Sequence, residues 1–261
     1  MKTIPTLLFA DGFESGDFSK WSSHGAYADH LPAVNGVNPH SGSYSYEQEY
    51  YLPVGGPYPQ DQNRFIIENF ADCGRPAGLA DFILKAYHYP KHPEADADAT
   101  KSTQRKLTRC MHDTAQAPSA TNFEVELIGW QLANQYGLDL AIGYYNPAFQ
   151  MPYISVQLAY NAWYLLEQEI HLNTPGVGDG VYKLSVNGTL RYTLSGVQLR
   201  NTQTTNLGGV CIGDQVNKTT DYTVHEFRYW DDVQIWALDP HGSGRQNWRR
   251  FPTPGRKAQA W

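Results

Sequence analysis

Short runs in which apolar and polar residues alternate recur along the whole chain. Residues 123–128 (FEVELI) and 153–158 (YISVQL) alternate as a strand with one buried face does. Similar runs, separated by Gly, Pro, Asn and Asp, predict strands at Thr6–Ala10, Arg64–Phe70, Ala80–Tyr89, Phe123–Leu132, Leu138–Tyr145, Pro152–Tyr160, Trp163–Leu172 and Thr223–Leu238. No convincing amphipathic helix interrupts them, and this spacing favours two packed antiparallel sheets.

One turn and one loop stand out between these strands. Asn187-Gly188 separates the alternating runs 181–186 and 189–192, and both residues tolerate positive φ, which predicts a type I′ hairpin. Residues 90–113 are polar and charged, and we expect them to form a long exposed excursion. The sequence therefore predicts an all-β, two-sheet antiparallel jelly-roll sandwich with long loops over residues 1–238, followed by an extended arm over residues 239–261.

The composition agrees with a β protein and narrows the chemistry. The chain has 18 Tyr, 23 Gly and 16 Pro, and only 18% of its residues are charged, which argues against long solvated helices. Its three cysteines are widely spaced with no CxxC, which disfavours a disulfide framework or a zinc site.

Targeting signals are not predicted. The N-terminal apolar run is interrupted by Pro5 and ends at Asp11, so we expect no signal peptide. No stretch approaches the ~18 apolar residues of a membrane span. We expect synthesis in the cytoplasm without export through a membrane.

The arm differs from the body in charge. It carries five cationic side chains against Asp239, a net +4, which leaves −10 for residues 1–238 of a chain whose net charge is −6. An acidic body opposes nucleic-acid binding, so we expect the arm to contact other copies of the chain or another protein. The alternative is that the arm folds back on its own domain. Its candidate interface residues are Arg245, Trp248, Arg249, Arg250, Phe251 and Trp261.

Two segments resemble a known superfamily. The first is DGFESGDFSKW at residues 11–21, and the second contains NTPGVGDGVYKLSVNGTL, GGVCIGD and FRYWDDVQIW between Trp163 and Trp236. Together they resemble the concanavalin A-like lectin/glucanase superfamily, in the polysaccharide-lyase-like and laminin-G-like branch found in bacterial and phage proteins. The resemblance implies a jelly roll whose first and last strands meet.

Such a meeting would gather carboxylates from both ends of the chain. The resemblance implies a structural Ca²⁺ between an N-terminal Glu and a C-terminal Asp pair, and carboxylates on turns suit that ion. The candidate ligands are Asp11, Glu14, Asp231 and Asp232. The alternative is that the aspartates serve only as turn residues and surface charges.

Catalytic candidates are incomplete. The glucanases of the superfamily carry three alternating acids on one strand, but Glu124 and Glu126 are followed by Ile128. A polysaccharide lyase needs a His or Tyr base and cationic groups, and His171 is flanked by Glu167 and Glu169, which make its face acidic. The Arg-x-Glu-x-Arg strand that the resemblance implies for lyases is absent.

Sugar binding without catalysis needs fewer groups. Aromatic platforms for a glycan are offered by Trp130, Tyr145, Tyr153 and Trp163, although the same residues could fill the core. We therefore predict a non-catalytic adhesion or structural module of a phage virion, such as a capsid decoration or tail-associated protein. It would bind sister subunits or other virion proteins through its arm and a cell-surface glycan through its sheet. The alternative is a polysaccharide lyase or glycoside hydrolase acting on an acidic polysaccharide.

Overall fold

A computed structural model describes residues 4–25, 32–52, 65–92, 103–112, 114, 123–131, 137–145, 148–200, 205–213, 216–218 and 224–238. These residues form strands and no helix, and none of them belongs to an apolar helix of the length that crossing a bilayer requires. The first nine strands are β1 (Thr6–Asp11), β2 (Ser23–Gly25), β3 (Ala33–Asn35), β4 (Ser45–Leu52), β5 (Phe65–Asn69), β6 (Asp81–Pro90), β7 (Thr103–Met111), β8 (Phe123–Gln131) and β9 (Gly137–Tyr145). The others are β10 (Phe149–Gln150), β11 (Tyr153–Ala159), β12 (Tyr164–His171), β13 (Gly180–Val186), β14 (Thr189–Val197), β15 (Gly209–Ile212), β16 (Val216–Lys218) and β17 (Val224–Ala237).

Two antiparallel sheets face each other. The first has the order β14-β13-β12-β6-β17-β4-β3, with β1 also paired to β17. The second has the order β10-β9-β8-β7-β15-β5-β2, with β11 on β9 and β16 on β7. The prediction of an all-β, two-sheet antiparallel sandwich is confirmed.

The first and last strands of the chain meet, as predicted. Strand β1 pairs with the second half of β17, from Thr6 opposite Ala237 to Asp11 opposite Val233. Strand β4 occupies the same edge of β17 over its first half, from Val224 to Trp230. The strand that pairs with this edge of β17 therefore changes from β4 to β1 next to Asp231 and Asp232.

Alternation along the strands places one face of each sheet in a common core. Strand β6 alternates regularly, with Phe82, Leu84 and Ala86 buried and the residues between them partly exposed. Trp230 on β17 is among the largest fully buried side chains. Burial of each large apolar side chain contributes about 1.5–3 kcal/mol, so the shared core stabilises the packing of the two sheets.

The hairpin between β13 and β14 has the predicted geometry. Asn187 and Gly188 have φ of 50° and 74°, and Val186 pairs with Thr189 directly across the turn. Positive φ at both central residues is the requirement of a type I′ turn, so this prediction is confirmed.

The prediction of an exposed excursion over residues 90–113 is wrong for its second half. Residues 103–111 form β7, which lies between β8 and β15 in the second sheet. The register of β7 against β8 shifts at Leu107, where a β-bulge adds one residue. The polar composition hid the strand because its inward face carries Arg105 and Thr108 as well as Leu107.

Arg105 belongs to an ion-pair cluster buried between the sheets. The Nε atoms of Arg105 and Arg228 donate to the Glu226 carboxylate at 2.8 and 2.9 Å. Burial alone would raise the pKa of Glu226, but the two guanidinium groups outweigh it and lower that pKa to about 2. The cluster ties β7 of the second sheet to β17 of the first.

Candidate active site on the second sheet

The outward face of the second sheet carries two cations that share one carboxylate. Glu126 lies between Val125 and Leu127, which belong to the core, so its side chain points away from the core. Lys106 Nζ is 2.6 Å from Glu126 Oε1, and Arg109 Nε is 3.0 Å from Glu126 Oε2. Lys106 and Arg109 come from β7 and Glu126 from β8, next to each other in the sheet.

These charged groups are buried although they lie outside the core. Relative exposure is 6% for Lys106, 3% for Arg109 and 1% for Glu126. Burying an unpaired charge costs several kcal/mol, whereas pairing and hydrogen bonding offset that cost. A cluster that is both charged and dry strengthens every electrostatic interaction within it, which is the setting in which cations stabilise a developing negative charge.

A smaller apolar cluster lies on the same outward face. Phe65, Ile67, Met111 and Cys211 pack together on β5, β7 and β15, separately from the main core. Cys110 and Cys211 are buried free thiols, and Cys73 is a partly buried free thiol. The outward face of the second sheet therefore carries a charged cluster and a separate apolar cluster.

Two of the predicted sugar-binding aromatics lie together on this face. The rings of Trp130 on β8 and Tyr153 on β11 are 5.6 Å apart at an angle of 56°. Tyr153 is 51% exposed, whereas the indole Nε1 of Trp130 is buried and has no hydrogen-bond partner. Burial and the Asp139 carboxylate raise the pKa of Tyr153, so its hydroxyl stays protonated.

His171 and Trp163 are on the other side of the molecule. His171 follows the buried Ile170 on β12 and therefore faces outward from the first sheet. The two alternative catalytic candidates, His171 for a lyase and the pair Glu124 and Glu126 for a glycosidase, therefore lie on different sheets, with the sandwich core between His171 and β8. Trp163 packs against His40 and Tyr89 on the same outer face of the first sheet, so it cannot share a subsite with Trp130 and Tyr153.

Both ring nitrogens of His171 are hydrogen-bonded to carboxylates. Its Nδ1 is 2.8 Å from Asp81 Oδ1, and its Nε2 is 2.8 Å from Glu169 Oε1. The hydrogen bond to Asp81 raises the pKa of His171, burial acts in the opposite sense, and the Glu169 bond adds to the rise. The His171 imidazolium is therefore held in ion pairs with Asp81 and Glu169, and neither ring nitrogen is available to take a proton from a substrate.

The predicted calcium ligands are close in space but have other partners. Both oxygens of Asp11 are taken: Oδ1 accepts from Lys20 Nζ at 2.8 Å, and Oδ2 accepts from Trp21 Nε1 at 2.8 Å. Glu14 Oε1 accepts the backbone N–H groups of Ser43 and Tyr44. Asp11 therefore does not fit a cation site.

His40, rather than Asp11, lies next to Asp231 and Asp232. His40 Nδ1 is 2.8 Å from Asp232 Oδ2, and ligand atoms of His40, Asp231 and Asp232 all lie within 4.8 Å of one another. Burial and the neighbouring Asp232 raise the pKa of Asp231 to about 6, even though backbone N–H groups hydrogen-bond it. The carboxylates of Asp231 and Asp232 fit a hard cation such as Ca²⁺ as oxygen ligands.

Other predicted residues fall outside the described part of the chain. The side chains of Glu124 and Tyr145 are among them, although their backbones belong to β8 and β9. The whole arm from residue 239 is also outside it, with its interface candidates Arg245, Trp248, Arg249, Arg250, Phe251 and Trp261.

Sequence reasoning missed Lys106, Arg109 and His40. The first two lie in the segment that was predicted to be an excursion, and His40 lies in a loop with no pattern of its own. The available signal was the run of three cations in residues 105–109, which is unusual in so acidic a body.

Comparison with known proteins gives similarity in structure only. No protein-family model matches the chain, and no curated protein matches it significantly in sequence. The marine PL-14 alginate lyase from Aplysia kurodai matches with a TM-score of 0.63 at 14% identity, over 89% of this chain and 99% of the lyase. The endo-β-1,4-glucuronan lyase from the fungus Trichoderma reesei matches with a TM-score of 0.62 at 12% identity, over 89% and 96%. Alginate lyase vAL-1 from Chlorella virus matches with a TM-score of 0.56 at 12% identity, over 89% and 100%.

These matches correct the predicted function and confirm the predicted fold. The prediction of a non-catalytic phage virion module is wrong, because the structures that share the fold over nearly its whole length are mostly polysaccharide lyases. The first and last strands meet as the superfamily resemblance implies. The chain therefore shares its two-sheet antiparallel sandwich fold with these polysaccharide lyases.

Proposed function

We propose that the chain is a polysaccharide lyase that cleaves an acidic, uronate-containing polysaccharide on the outward face of its second sheet. The observation that carries the proposal is the buried cluster of Lys106 and Arg109 around Glu126. Cationic side chains gathered on one face of a sheet favour an anionic ligand, and the exposed aromatic Tyr153 on the same face favours a sugar.

Lyase chemistry gives these cations a role. A base removes the proton from the carbon next to the uronate carboxylate, and the electron pair left behind spreads into that carboxylate. The C–O bond to the leaving sugar then breaks, a C=C bond forms, and the leaving oxygen takes up a proton. Lys106 and Arg109 would stabilise the extra negative charge on the carboxylate, and Glu126 would hold both cations in place.

We propose Tyr145 as the base because of its position at the end of β9. Lyase chemistry accepts a Tyr or a His as base, and the only catalytic His candidate from the sequence lies on the opposite face. Tyr145 ends β9 two residues after Gly143, and Gly143 is the strand partner of Glu126. Residues two apart on a strand share a face, and on this ground we propose Tyr145 as the base.

A glycoside hydrolase receives less support. Such an enzyme needs one carboxylic acid that donates a proton and a second carboxylate that acts as nucleophile or base. Each oxygen of Glu126 is instead engaged by a cation. The elimination reaction uses the cations directly, whereas hydrolysis does not.

The test is a panel of uronate polymers, including glucuronan and alginate, with the ultraviolet absorbance of the unsaturated product as readout. We expect the full-length protein to produce this absorbance, and Lys106→Met to lower kcat/KM by about 100-fold or more because a charge-stabilising group is lost. Tyr145→Phe should lower kcat in the same assay.

Lys85→Met is the matched control. Lys85 pairs with Glu167 at 2.5 Å on the outer face of the first sheet, so its loss removes an ion pair without touching the proposed cleft. Thermal unfolding of each variant separates loss of folding from loss of activity. The proposal is refuted if no uronate polymer yields unsaturated product, or if Lys106→Met cleaves as fast as the wild type.

A further inference from the structure

We infer that Gln168 and Tyr182, on the first sheet, are positioning residues for the candidate site on the second sheet. Tyr182 holds Gln168, and Gln168 hydrogen-bonds Thr108 across the core, on the strand that carries both cations of the site. The inference rests on the proposed function for its catalytic consequence. It assigns a role to a buried polar network that the elimination step does not use.

The network crosses the interior of the sandwich. Thr108 Oγ1 donates to Gln168 Oε1 at 3.0 Å and accepts from Gln168 Nε2 at 2.9 Å. The Tyr182 hydroxyl donates to the same Oε1 at 3.1 Å. All three side chains are fully buried. Gln168 lies on β12 and Tyr182 on β13, so the network ties two strands of the first sheet to β7 of the second.

Thr108 faces the core because of the β-bulge at Leu107. The register against β8 shifts there, and both residues point inward, Leu107 into the core cluster and Thr108 to its hydrogen bonds across the core. Adjacent residues of a regular strand point to opposite faces, so the shared direction of these two is a property of the bulge. Lys106 and Arg109 flank the pair and point outward to Glu126.

The network holds this irregular segment in place. A bulge disrupts the backbone ladder, so side-chain contacts matter more there than in a regular strand. A buried amide without a partner is destabilising, and Gln168 would lose its partner on β7 if Thr108 shifted or turned outward. Because Thr108 lies between Lys106 and Arg109, the same hydrogen bonds fix the position of both cations.

Position decides how well such cations act. Groups that stabilise a developing charge depend on their placement, and a displacement of about 1 Å can lower a rate about 100-fold. Loss of the network should therefore lower kcat and kcat/KM of the proposed reaction by the same factor and leave KM nearly unchanged.

The experiment compares a single variant of the full-length protein with a triple variant. Gln168→Met leaves the Thr108 and Tyr182 hydroxyls without a partner, so we expect Tm to fall by several degrees and kcat by about tenfold. Thr108→Val, Gln168→Met and Tyr182→Phe together replace the whole network by apolar side chains of similar size. We expect Tm of this triple variant to return close to that of the wild type while kcat stays about tenfold low. A merely structural network would restore kcat together with Tm.

Two further variants serve as controls. Thr108→Ser keeps the hydroxyl, and we expect it to retain most of the wild-type kcat. Asn173→Ala removes a buried hydrogen bond from the Arg200 N–H, which does not involve β7. It should lower Tm and leave kcat unchanged.

Hydrogen exchange gives a readout that does not need catalysis. We expect the triple variant to exchange faster than the wild type in residues 103–111 and at the wild-type rate in Asp81–Pro90 of β6. If the wild type cleaves and the triple variant matches it in kcat and in exchange, the positioning role is refuted while the proposed function stands. If the wild type cleaves no uronate polymer, the proposed function fails, and faster exchange of β7 in the triple variant still supports the role of the network. Unchanged exchange in that case overturns both.

Discussion

Replacing Glu226 with glutamine tests how the two sheets are joined. Glu226 is the one carboxylate between Arg105 and Arg228 in the described interior, and its side chain is almost fully buried, as are both guanidinium groups. A glutamine has nearly the same shape, but it removes the negative charge and turns an NH₂ group towards two donors. The variant therefore isolates charge from packing.

The size of the effect follows from the pKa of Glu226. The two guanidinium groups lower this pKa from 4.5 to about 2 against the opposing effect of burial. At 1.36 kcal/mol for each pKa unit, the carboxylate contributes about 3 kcal/mol to the free energy of unfolding. Because the folded-state pKa is depressed, this contribution is fully present above pH 4.5 and is lost as the pH falls towards 2. Removing one partner of a buried ion pair costs about 3–5 kcal/mol, which agrees with that value.

Urea unfolding at several pH values between 3 and 7 measures the effect. We expect Glu226→Gln to lower the free energy of unfolding by about 3–4 kcal/mol at pH 7, and the difference from wild type to shrink below pH 4.5. Glu49→Gln is the control, because Glu49 is partly exposed on β4 and contacts His225 at 3.0 Å. A loss below about 1 kcal/mol at pH 7, or a loss that does not change with pH, would refute the reasoning.

Three further predictions concern single features. His171→Gln should remove a contribution to stability that is present below pH 6.5 and lost as the pH rises through the raised folded-state pKa, so unfolding curves of variant and wild type should differ in acid and converge in alkali. We propose that Asp231 and Asp232 hold a structural Ca²⁺, so calcium should raise Tm by several degrees and Asp232→Asn should abolish the rise; an unchanged Tm with calcium and with chelator would contradict this. Gly188→Ala should cost about 1 kcal/mol in urea unfolding because φ is 74° at that position, and an unaffected midpoint would argue against the type I′ turn.

The fold was predictable because its signals are local. Asn187-Gly188 specifies its hairpin through the backbone conformations that two adjacent residues accept. Alternation in β6 and β12 specifies which face is buried without knowledge of the partner strand. The pairing of β1 with β17 needed the resemblance of both chain ends to a superfamily, since no local rule connects residues more than 200 positions apart.

The candidate site was less predictable because it breaks these same rules. Strand β7 has cations on both faces, and Arg105 on its inward face is acceptable only because Glu226 lies opposite on another sheet. His40 gains its role from a contact with Asp232 that is 192 positions away in sequence. A single sequence does not reveal pairings between such distant residues. A polar segment such as β7 is therefore predicted to be an exposed loop.

The bulge at Leu107 explains why the cation cluster exists at all. Lys106 and Arg109 are three positions apart, and in a regular strand residues with an odd separation point to opposite faces. The bulge adds one residue between them, so Lys106 lies opposite Ile128 and Arg109 opposite Glu126, two positions apart on the same face of β8. If β7 kept Leu107 but paired with β8 without the bulge, Lys106 and Arg109 would point to opposite faces, and the two cations could not both contact Glu126. The irregularity that concealed the strand in the sequence is thus the feature that brings both cations to one carboxylate, and local sequence rules are expected to fail at a site of the kind that we propose here.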